Sequence, residues 1–176
     1  MPEATLAMQP HLAHDLLSPE NLALADETVF ELFAQMLGLA VAVTAPPTLH
    51  TGGGDERTAI VGYSGALRGC CEVRSNEGAA RIIASAMLGG LPIEDEDSLD
   101  DAIGEVCNMI AGGWKDRIPT LSSHCSLSPP TVITGRAYKV QMSRPSVKIS
   151  RCYHFEGQYL FLTLRREDLP VSARRP

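Results

Sequence analysis

The most informative segment of this chain spans residues 101–112 and reads Asp101-Ala102-Ile103-Gly104-Glu105-Val106-Cys107-Asn108-Met109-Ile110-Ala111-Gly112. Its apolar residues recur every three or four positions, which is the spacing of a helix that buries one face. Just upstream, Ser98 is followed by acidic residues, a pattern typical of a capped helix start. We therefore predict a helix over residues 98–117, with Ser98 as its cap.

The predicted helix has one apolar and one polar face. At about 100° per residue, the face expected against the core collects Leu99, Ile103, Val106, Cys107, Ile110 and Trp114. The opposite, exposed face collects Asp101, Gly104, Glu105, Asn108, Gly112 and Lys115. Glu105 and Asn108 are three residues apart, so their side chains are neighbours on the helix surface.

Two interpretations of the polar face remain open at this point. Exposed helical glycines cost about 1 kcal/mol each relative to alanine, a cost most readily tolerated where a partner approaches the backbone closely. Any amphipathic surface helix can, however, supply a Glu/Asn pair and tolerate two glycines without having a function. The spacing alone does not choose between a docking surface and a solvated face.

Periodic segments on both sides of this helix predict two further helices and eight strands. One helix begins with Asp26 or Thr28 as its cap and ends near Gly38; the other is capped by Asn76 and ends at Gly89-Gly90. The strands are predicted over residues 39–44, 58–63, 66–74, 121–126, 131–134, 138–142, 146–154 and 159–165, with a hairpin turn at Glu156-Gly157. These elements predict an α+β fold, with helices packed on a mostly antiparallel sheet.

The chain length of 176 residues fits one domain with a sizeable core. We predict a single domain over residues 26–170, preceded by a segment of mixed pattern over residues 1–25 and followed by a tail over residues 171–176. The net charge is −6 and no run of Lys or Arg occurs, whereas nucleic-acid binding needs a basic surface. We therefore expect no nucleic-acid partner.

The cysteine pattern and the hydropathy limit the cellular context. Five cysteines occur, an odd number, and no C-x-x-C is present, so neither a disulfide framework nor a zinc site is predicted. The chain start lacks the pattern of a secretion signal, and the most apolar stretch, residues 32–45, is too short to span a membrane. We expect a cytoplasmic protein with reduced thiols, no membrane contact and no bound metal.

Residues 101–112 as a whole resemble the active-site helix of the CheC/CheX/FliY phosphatase family, whose signature is an Asp or Ser followed by E-x-x-N on an exposed helix. Further similar segments are Gly62-Tyr63-Ser64-Gly65 ahead of a strand, Met87-Leu88 at a helix end, and Ser128-Pro129-Pro130-Thr131-Val132-Ile133-Thr134-Gly135. The resemblance covers about residues 26–165. A downstream proline belongs to the family signature, and Pro129-Pro130 lies in that neighbourhood.

The resemblance implies a phosphatase that hydrolyses the aspartyl phosphate of a CheY-like response regulator. Glu105 and Asn108 carry over as the catalytic pair, and Asp101, Gly104 and Gly112 as positions where the partner docks. The helix that follows Asn76 has no E-x-x-N, so the chain resembles the single-site CheX type. The family also implies a homodimer, no cofactor on this chain and Mg²⁺ on the partner regulator.

Two alternatives to the enzyme stay open. The same fold can serve as a non-catalytic binding or scaffold module for receiver domains in two-component or chemotaxis signalling. An unrelated α+β domain could also match the signature by coincidence. The intact Glu105/Asn108 pair favours the enzyme over the scaffold, and the ordered set of similar segments argues against coincidence.

Overall fold

The computed structural model of the protein describes residues 18–47, 54–141 and 146–167. Its helices are α1 (Pro19–Leu32), α2 (Glu77–Met87), α3 (Glu96–Asp116) and the short α4 (Pro119–Ser122), and a π-helical turn (Phe33–Leu37) continues α1. Its strands are β1 (Ala42–Thr44), β2 (Glu56–Gly65), β3 (Gly69–Asn76), β4 (Cys125–Leu127), β5 (Thr131–Gly135), β6 (Ser146–Phe155) and β7 (Gln158–Glu167).

All pairings in the described sheet are antiparallel, and the strand order is β1-β6-β7-β3-β2-β4. Strand β5 also pairs with β2, alongside residues 56–60, while β4 pairs with the other end of β2 at residues 63–65. The β6–β7 hairpin turns at Glu156 and Gly157, whose φ angles of 45° and 73° fit the mirror-image turn that short hairpins favour. The sheet and the hairpin turn confirm the predicted α+β class.

Helix α3 lies across the sheet and is the centre of the core. Residues 59–63 of β2 and the middle parts of β3 and β7 alternate buried and half-buried residues, so one face of the sheet is turned toward the helices. The buried residues of this face include Ala59, Val61, Val73, Leu160 and Leu162, and they share one cluster with the apolar face of α3. Each Val or Leu side chain among them contributes about 1.5–3 kcal/mol when fully buried. Helix α3 is thereby pressed onto the middle of the sheet.

Helix α1 begins earlier than the sequence predicted. Its N-cap is Ser18, whose side chain accepts a hydrogen bond from the Asn21 amide at 3.2 Å, and Pro19 occupies the first helical position. The predicted caps Asp26 and Thr28 were wrong, because both lie inside the helix. The Asp26 carboxylate instead accepts a hydrogen bond from the Tyr153 hydroxyl at 2.7 Å. The helix therefore runs without a break across the predicted domain boundary at residue 26.

Helix α3 also starts earlier than predicted. Asp95 is the N-cap, and its carboxylate accepts hydrogen bonds from the Ser98 amide at 2.7 Å and the Ser98 hydroxyl at 2.8 Å. The prediction of Ser98 as the cap was wrong because Asp and Ser are equally good caps and both occur at this helix start. The pKa of Asp95 is lowered by these two hydrogen bonds.

Other predictions near the helix ends were confirmed. Asn76 caps α2 by accepting from the Ala79 amide at 2.8 Å. Gly89 and Gly90 follow this helix with φ angles of 70° and 90°, the left-handed conformation that a glycine stop supplies. Helix α3 ends at Asp116, within one residue of the predicted end.

Three predicted strands differ from the structure. Residues 121–126 divide between α4 and β4, and residues 39–44 contribute only the three residues of β1. Residues 138–141 form no strand, and Met142, the end of that prediction, lies outside the described residues. Tyr138 in this segment shares a 2.6 Å hydrogen bond with the Thr58 hydroxyl. The strand predictions were wrong here because a short apolar run does not distinguish a strand from other buried segments.

Candidate functional site

The exposed face of α3 carries the predicted functional pair. Glu105 and Asp101 are exposed and Asn108 is half-buried, whereas Gly104 is buried. On the opposite side, the six predicted core residues of the helix are at most 1% exposed, which confirms the predicted buried face. Glu105 and Asn108 are three residues apart on continuous helix, so their side chains lie side by side on the surface.

The structure corrects the position of Gly104. A Cβ atom at this position would lie 3.3 Å from Val132 Cγ2 and 3.6 Å from the Pro130 ring. The chain's own β5 end therefore covers the backbone at Gly104, so its assignment to the exposed face was wrong. A helical projection did not show this, because the covering residues come from 26 or more positions downstream. Gly112 is half-buried, and a Cβ there would meet Leu127 Cδ1 at 3.7 Å.

The segment of residues 127–132, which we call the proline segment, forms one edge of the site. It contacts α3 beside Gly112 at one end and beside Gly104 at the other. Asn108 is four residues from each glycine and lies on the same side of the helix, so the proline segment passes alongside it. The signature proline region of the sequence is thereby placed next to the predicted pair, an arrangement that no local pattern indicates.

Two hydrogen bonds and two prolines stiffen this edge. The Ser128 amide donates to the Gly62 carbonyl at 2.9 Å, and the Gly62 amide donates to the Ser128 hydroxyl oxygen at 2.8 Å. Pro129 and Pro130 fix two successive φ angles. The proline segment is thus already ordered, and it loses little conformational entropy when a partner group docks beside Asn108.

The electrostatics of the exposed face are negative. Asp97, Asp101 and Glu105 follow one another at intervals of four residues along α3, and none of them forms an ion pair within the described ranges. Lys115 lies farther along the helix, but its ammonium is bound by the Asp116 carboxylate at 2.6 Å and the Ser122 carbonyl at 2.8 Å. The face therefore favours a cationic group on whatever docks against it.

The cysteines near α3 point away from this face. Cys107 is fully buried, with its sulfur 3.5 Å from the Ala59 carbonyl oxygen and 3.6 Å from that of Cys71. A hydrogen bond with Cys107, together with burial, raises the pKa of the Cys71 thiol. The Cys71 thiol is therefore a protonated core residue and is no nucleophile at neutral pH. Among the described residues, no cluster of three or more His, Cys, Asp or Glu is arranged to hold a metal ion.

Comparison with known proteins identifies the family of this chain. A family model described as chemotaxis phosphatase CheX matches residues 57–152, more than half of the chain. The chain belongs to the CheX family. The matched range contains both members of the predicted pair and the whole proline segment, and it begins at the inward-facing Arg57 of β2.

A curated relative agrees with the CheX family assignment, and two solved structures share the fold. A Thermotoga maritima protein named CheY-P phosphatase CheX is 30% identical over 116 residues, which cover 65% of this chain and 75% of the relative. A CheX crystal structure from Desulfovibrio desulfuricans has a TM-score of 0.70 at 21% identity and covers 84% of this chain and 99% of that one. A CheX–CheY–BeF3–Mg²⁺ complex from Borrelia burgdorferi has a TM-score of 0.64 at 18% identity, with 84% and 96% covered.

The comparisons confirm the family and the fold that the sequence resemblance implied. The comparisons assign no role to individual residues; in the structure, Glu105 and Asn108 are accessible neighbours, and Asp101 is exposed one turn before Glu105. Two features of the site were not predicted from the sequence. The proline segment forms one edge of the site, and a buried arginine lies beneath the start of α3. The one available signal for the latter was Arg57 itself, a charge at an inward position of an otherwise apolar strand.

Proposed function

We propose that this protein is a phosphatase that hydrolyses the aspartyl phosphate of a CheY-like response regulator, with α3 as its active-site helix. The observation that carries the proposal is the accessible Glu105/Asn108 pair on the outward face of α3, in a chain of the CheX family. Its relative from Thermotoga maritima is named a CheY-P phosphatase, and the Borrelia burgdorferi structure contains CheX together with CheY. Both names support the same class of partner.

In the proposed reaction, a water molecule attacks the phosphorus in line with the bond to the aspartate oxygen. That bond breaks, and inorganic phosphate and the free carboxylate are released. Such chemistry depends mainly on positioning and electrostatics. The Asn108 carboxamide can donate and accept hydrogen bonds at once, so it can hold the water in line with the phosphorus. Ordering this water would supply on the order of 3 kcal/mol, roughly a hundredfold in rate.

Glu105 has a separate role in this proposal. Its carboxylate pairs with a lysine of the regulator and fixes the docked geometry, and Asp101 extends the same negative face. Gly112 leaves room beside the pair, whereas Gly104 acts indirectly, because it admits the proline segment against the helix. No cofactor is assigned to this chain, and Mg²⁺ belongs to the regulator.

The proposal includes a cytoplasmic location, where response regulators act, and a homodimer formed through sheet edges. Strand β1 ends one side of the described sheet, and β4 and β5 end the other. Unpaired edge strands are ready to pair with another chain. No helix within the described ranges is both long and apolar enough to cross a membrane.

The deciding experiment measures the decay of phosphorylated receiver domains. A panel of Mg²⁺-loaded, phosphorylated receivers from the same organism is incubated with the protein, and loss of the phosphoryl group is followed. We expect accelerated decay of at least one receiver, lost in Asn108→Ala and in Glu105→Ala. Thr120→Ala, a change at an exposed position of α4, serves as the matched control and should retain full activity.

Binding of a receiver without faster decay would instead favour the scaffold alternative, with the pair as a docking surface. If no receiver in the panel is bound and none is dephosphorylated faster, the proposal as a whole is contradicted. Full activity in Asn108→Ala would be compatible with a phosphatase but would contradict the proposed role of Asn108 in orienting the water.

A further inference from the structure

Arg57 is a fully buried charge beneath the start of α3. It lies on β2, between Glu56 and Thr58, with its side chain turned toward the helices and 0% exposed. Its Nε donates to Asp100 Oδ1 at 2.7 Å, and its Nη2 binds the Glu96 carboxylate. Both acids belong to the first two turns of α3, so a single side chain of the central sheet holds the start of the proposed active-site helix.

The arrangement is costly if stability is its purpose. A buried ion pair seldom stabilises a protein more than apolar residues of the same size would, because both charges lose their hydration. Arg57 Nη1 is also buried without a hydrogen-bond partner in the described structure, as is Ser75 Oγ on the directly opposed residue of β3. Unpaired buried polar atoms cost a further 1–3 kcal/mol or so each. Some property other than stability is the better explanation for a charge at this position.

Further residues hold the same two carboxylates. The Thr134 hydroxyl on β5, directly opposite Arg57 in the sheet, donates to Asp100 Oδ1 at 2.9 Å. Arg81 on α2 binds Glu96 Oε1 at 2.9 Å. The start of α3 is therefore tied by directional bonds to β2, β5 and α2 at once.

Hydrogen bonds and ion pairs constrain the rotation of α3 more closely than apolar packing does. Hydrophobic contact is non-directional, so it selects which face of α3 is buried but leaves small rotations of the helix about its own axis weakly constrained. A rotation of only about 10° would move the end of the Asn108 side chain, some 6 Å from the axis, by roughly 1 Å. Catalytic groups have to be held within about 0.5 Å, and a misplacement of about 1 Å can cost roughly a hundredfold in rate.

We propose that Arg57 is a positioning residue, which sets the rotation of α3 through Asp100 and Glu96 and thereby aims Asn108 at the phosphoryl group of the regulator. Asp100 is eight residues, about 12 Å along the axis, from Asn108, so Arg57 acts through the helix and touches no reacting atom. This inference rests on the proposed phosphatase function.

The test variant is Arg57→Met. Methionine has a similar length and is apolar, and the released acids are 35% and 57% exposed, so water can solvate them and no charge is stranded in the core. We expect kcat for the regulator's dephosphorylation to fall at least about tenfold, while KM changes less than about threefold, since the docking face is intact. Arg57→Lys, which keeps the charge without the two-pronged geometry, should recover part of the lost kcat.

Arg165→Met is the matched control. Arg165 is 14% exposed and pairs with Glu72 at 3.0 Å, in a register that places both on the sheet face away from α3. Arg165→Met also loses an ion pair of the sheet, and the acid that it releases, Glu72, is only 13% exposed. A kcat effect that arises from general loosening of the sheet would therefore appear at least as strongly in this control. Equal losses in both variants, or an unchanged kcat in Arg57→Met, would overturn the proposal.

A second measurement separates this inference from the proposed function. Amide hydrogen exchange is compared between wild type and Arg57→Met, and we expect faster exchange in α3 with unchanged exchange in β3 and β7. If wild type accelerates no receiver's decay, the phosphatase proposal fails, but the exchange data still decide whether Arg57 holds α3. Unchanged exchange throughout α3 would overturn the anchoring role in either case.

Discussion

Asn108 and Glu105 are neighbours on one helix face, yet the proposed chemistry needs different properties from each. Asn108 must donate and accept hydrogen bonds at the attacking water, and Glu105 must carry a negative charge toward the partner. The two are therefore separable by substitutions that preserve shape. Substitutions that truncate both side chains to alanine do not distinguish these properties.

The variants Asn108→Asp and Glu105→Gln test the hydrogen-bonding role of Asn108 separately from the charge of Glu105. Asn108→Asp removes the donor and adds a negative charge near the phosphoryl oxygens, so we expect kcat to fall by about a hundredfold or more. Glu105→Gln keeps the size but loses the charge, so we expect mainly a higher KM, together with a weaker dependence of KM on ionic strength. Steady-state dephosphorylation at two salt concentrations measures both. If the two variants show the same kinetic defect, the division of roles is wrong.

At the scale of the element, α3 contains adjacent glycines in different surroundings. A Cβ at Gly112 would make an ordinary 3.7 Å contact with Leu127, whereas a Cβ at Gly113 would lie 2.7 Å from the Thr28 methyl group. Thr28 is buried between α1 and α3, and its hydroxyl bonds the Leu24 carbonyl at 2.7 Å, so it has little freedom to move aside. The two positions should respond to alanine in opposite directions.

We expect Gly112→Ala to raise the free energy of unfolding by up to about 1 kcal/mol through helix propensity. Gly113→Ala should lower it by about 1–3 kcal/mol, because overpacking against Thr28 outweighs the same propensity gain. Urea unfolding followed by circular dichroism measures both. A stabilised Gly112→Ala protein that binds the phosphorylated regulator more weakly would support Gly112 as a docking position; unchanged binding would argue against it.

At the scale of the whole molecule, buried acids with raised pKa values link stability to pH. Burial, its largest cause, raises the pKa of Cys70 from 9.0 to about 11. Burial likewise raises the pKa of Tyr63, whose hydroxyl faces the Ala111 carbonyl of α3. In the unfolded chain these groups ionise at their ordinary values, so the folded state is favoured fully below about pH 9 and loses this advantage as the pH rises further.

The free energy of unfolding should therefore be level near neutral pH and fall between about pH 9 and pH 11. Each group contributes a slope of up to about 1.4 kcal/mol per pH unit within its window. Urea unfolding from pH 7 to pH 11 measures the profile, and Cys70→Ala should make the decline shallower than in wild type. A wild-type profile that stays flat through pH 11 would contradict the raised pKa values.

The sequence by itself determined the α+β class, the α3 segment with its buried and exposed faces, the cap at Asn76, the turn at Glu156-Gly157 and the resemblance to the family. These features follow from periodicity and from residues with restricted conformations, both of which are local properties. Prediction from the sequence was wrong for the starts of α1 and α3, because several good caps lie there within a few residues of one another. It was also wrong for short apolar runs, because these fit more than one type of element.

Only the tertiary structure decided what surrounds α3. It buried Gly104 beneath Val132 and Pro130, brought the proline segment beside Asn108, and placed Arg57 under Asp100. Each of these contacts joins residues that are at least 19 positions apart. Local pattern specifies which face of a helix is buried, but the neighbours that cover it depend on how distant strands pair, because sheet contacts connect residues regardless of their separation along the chain.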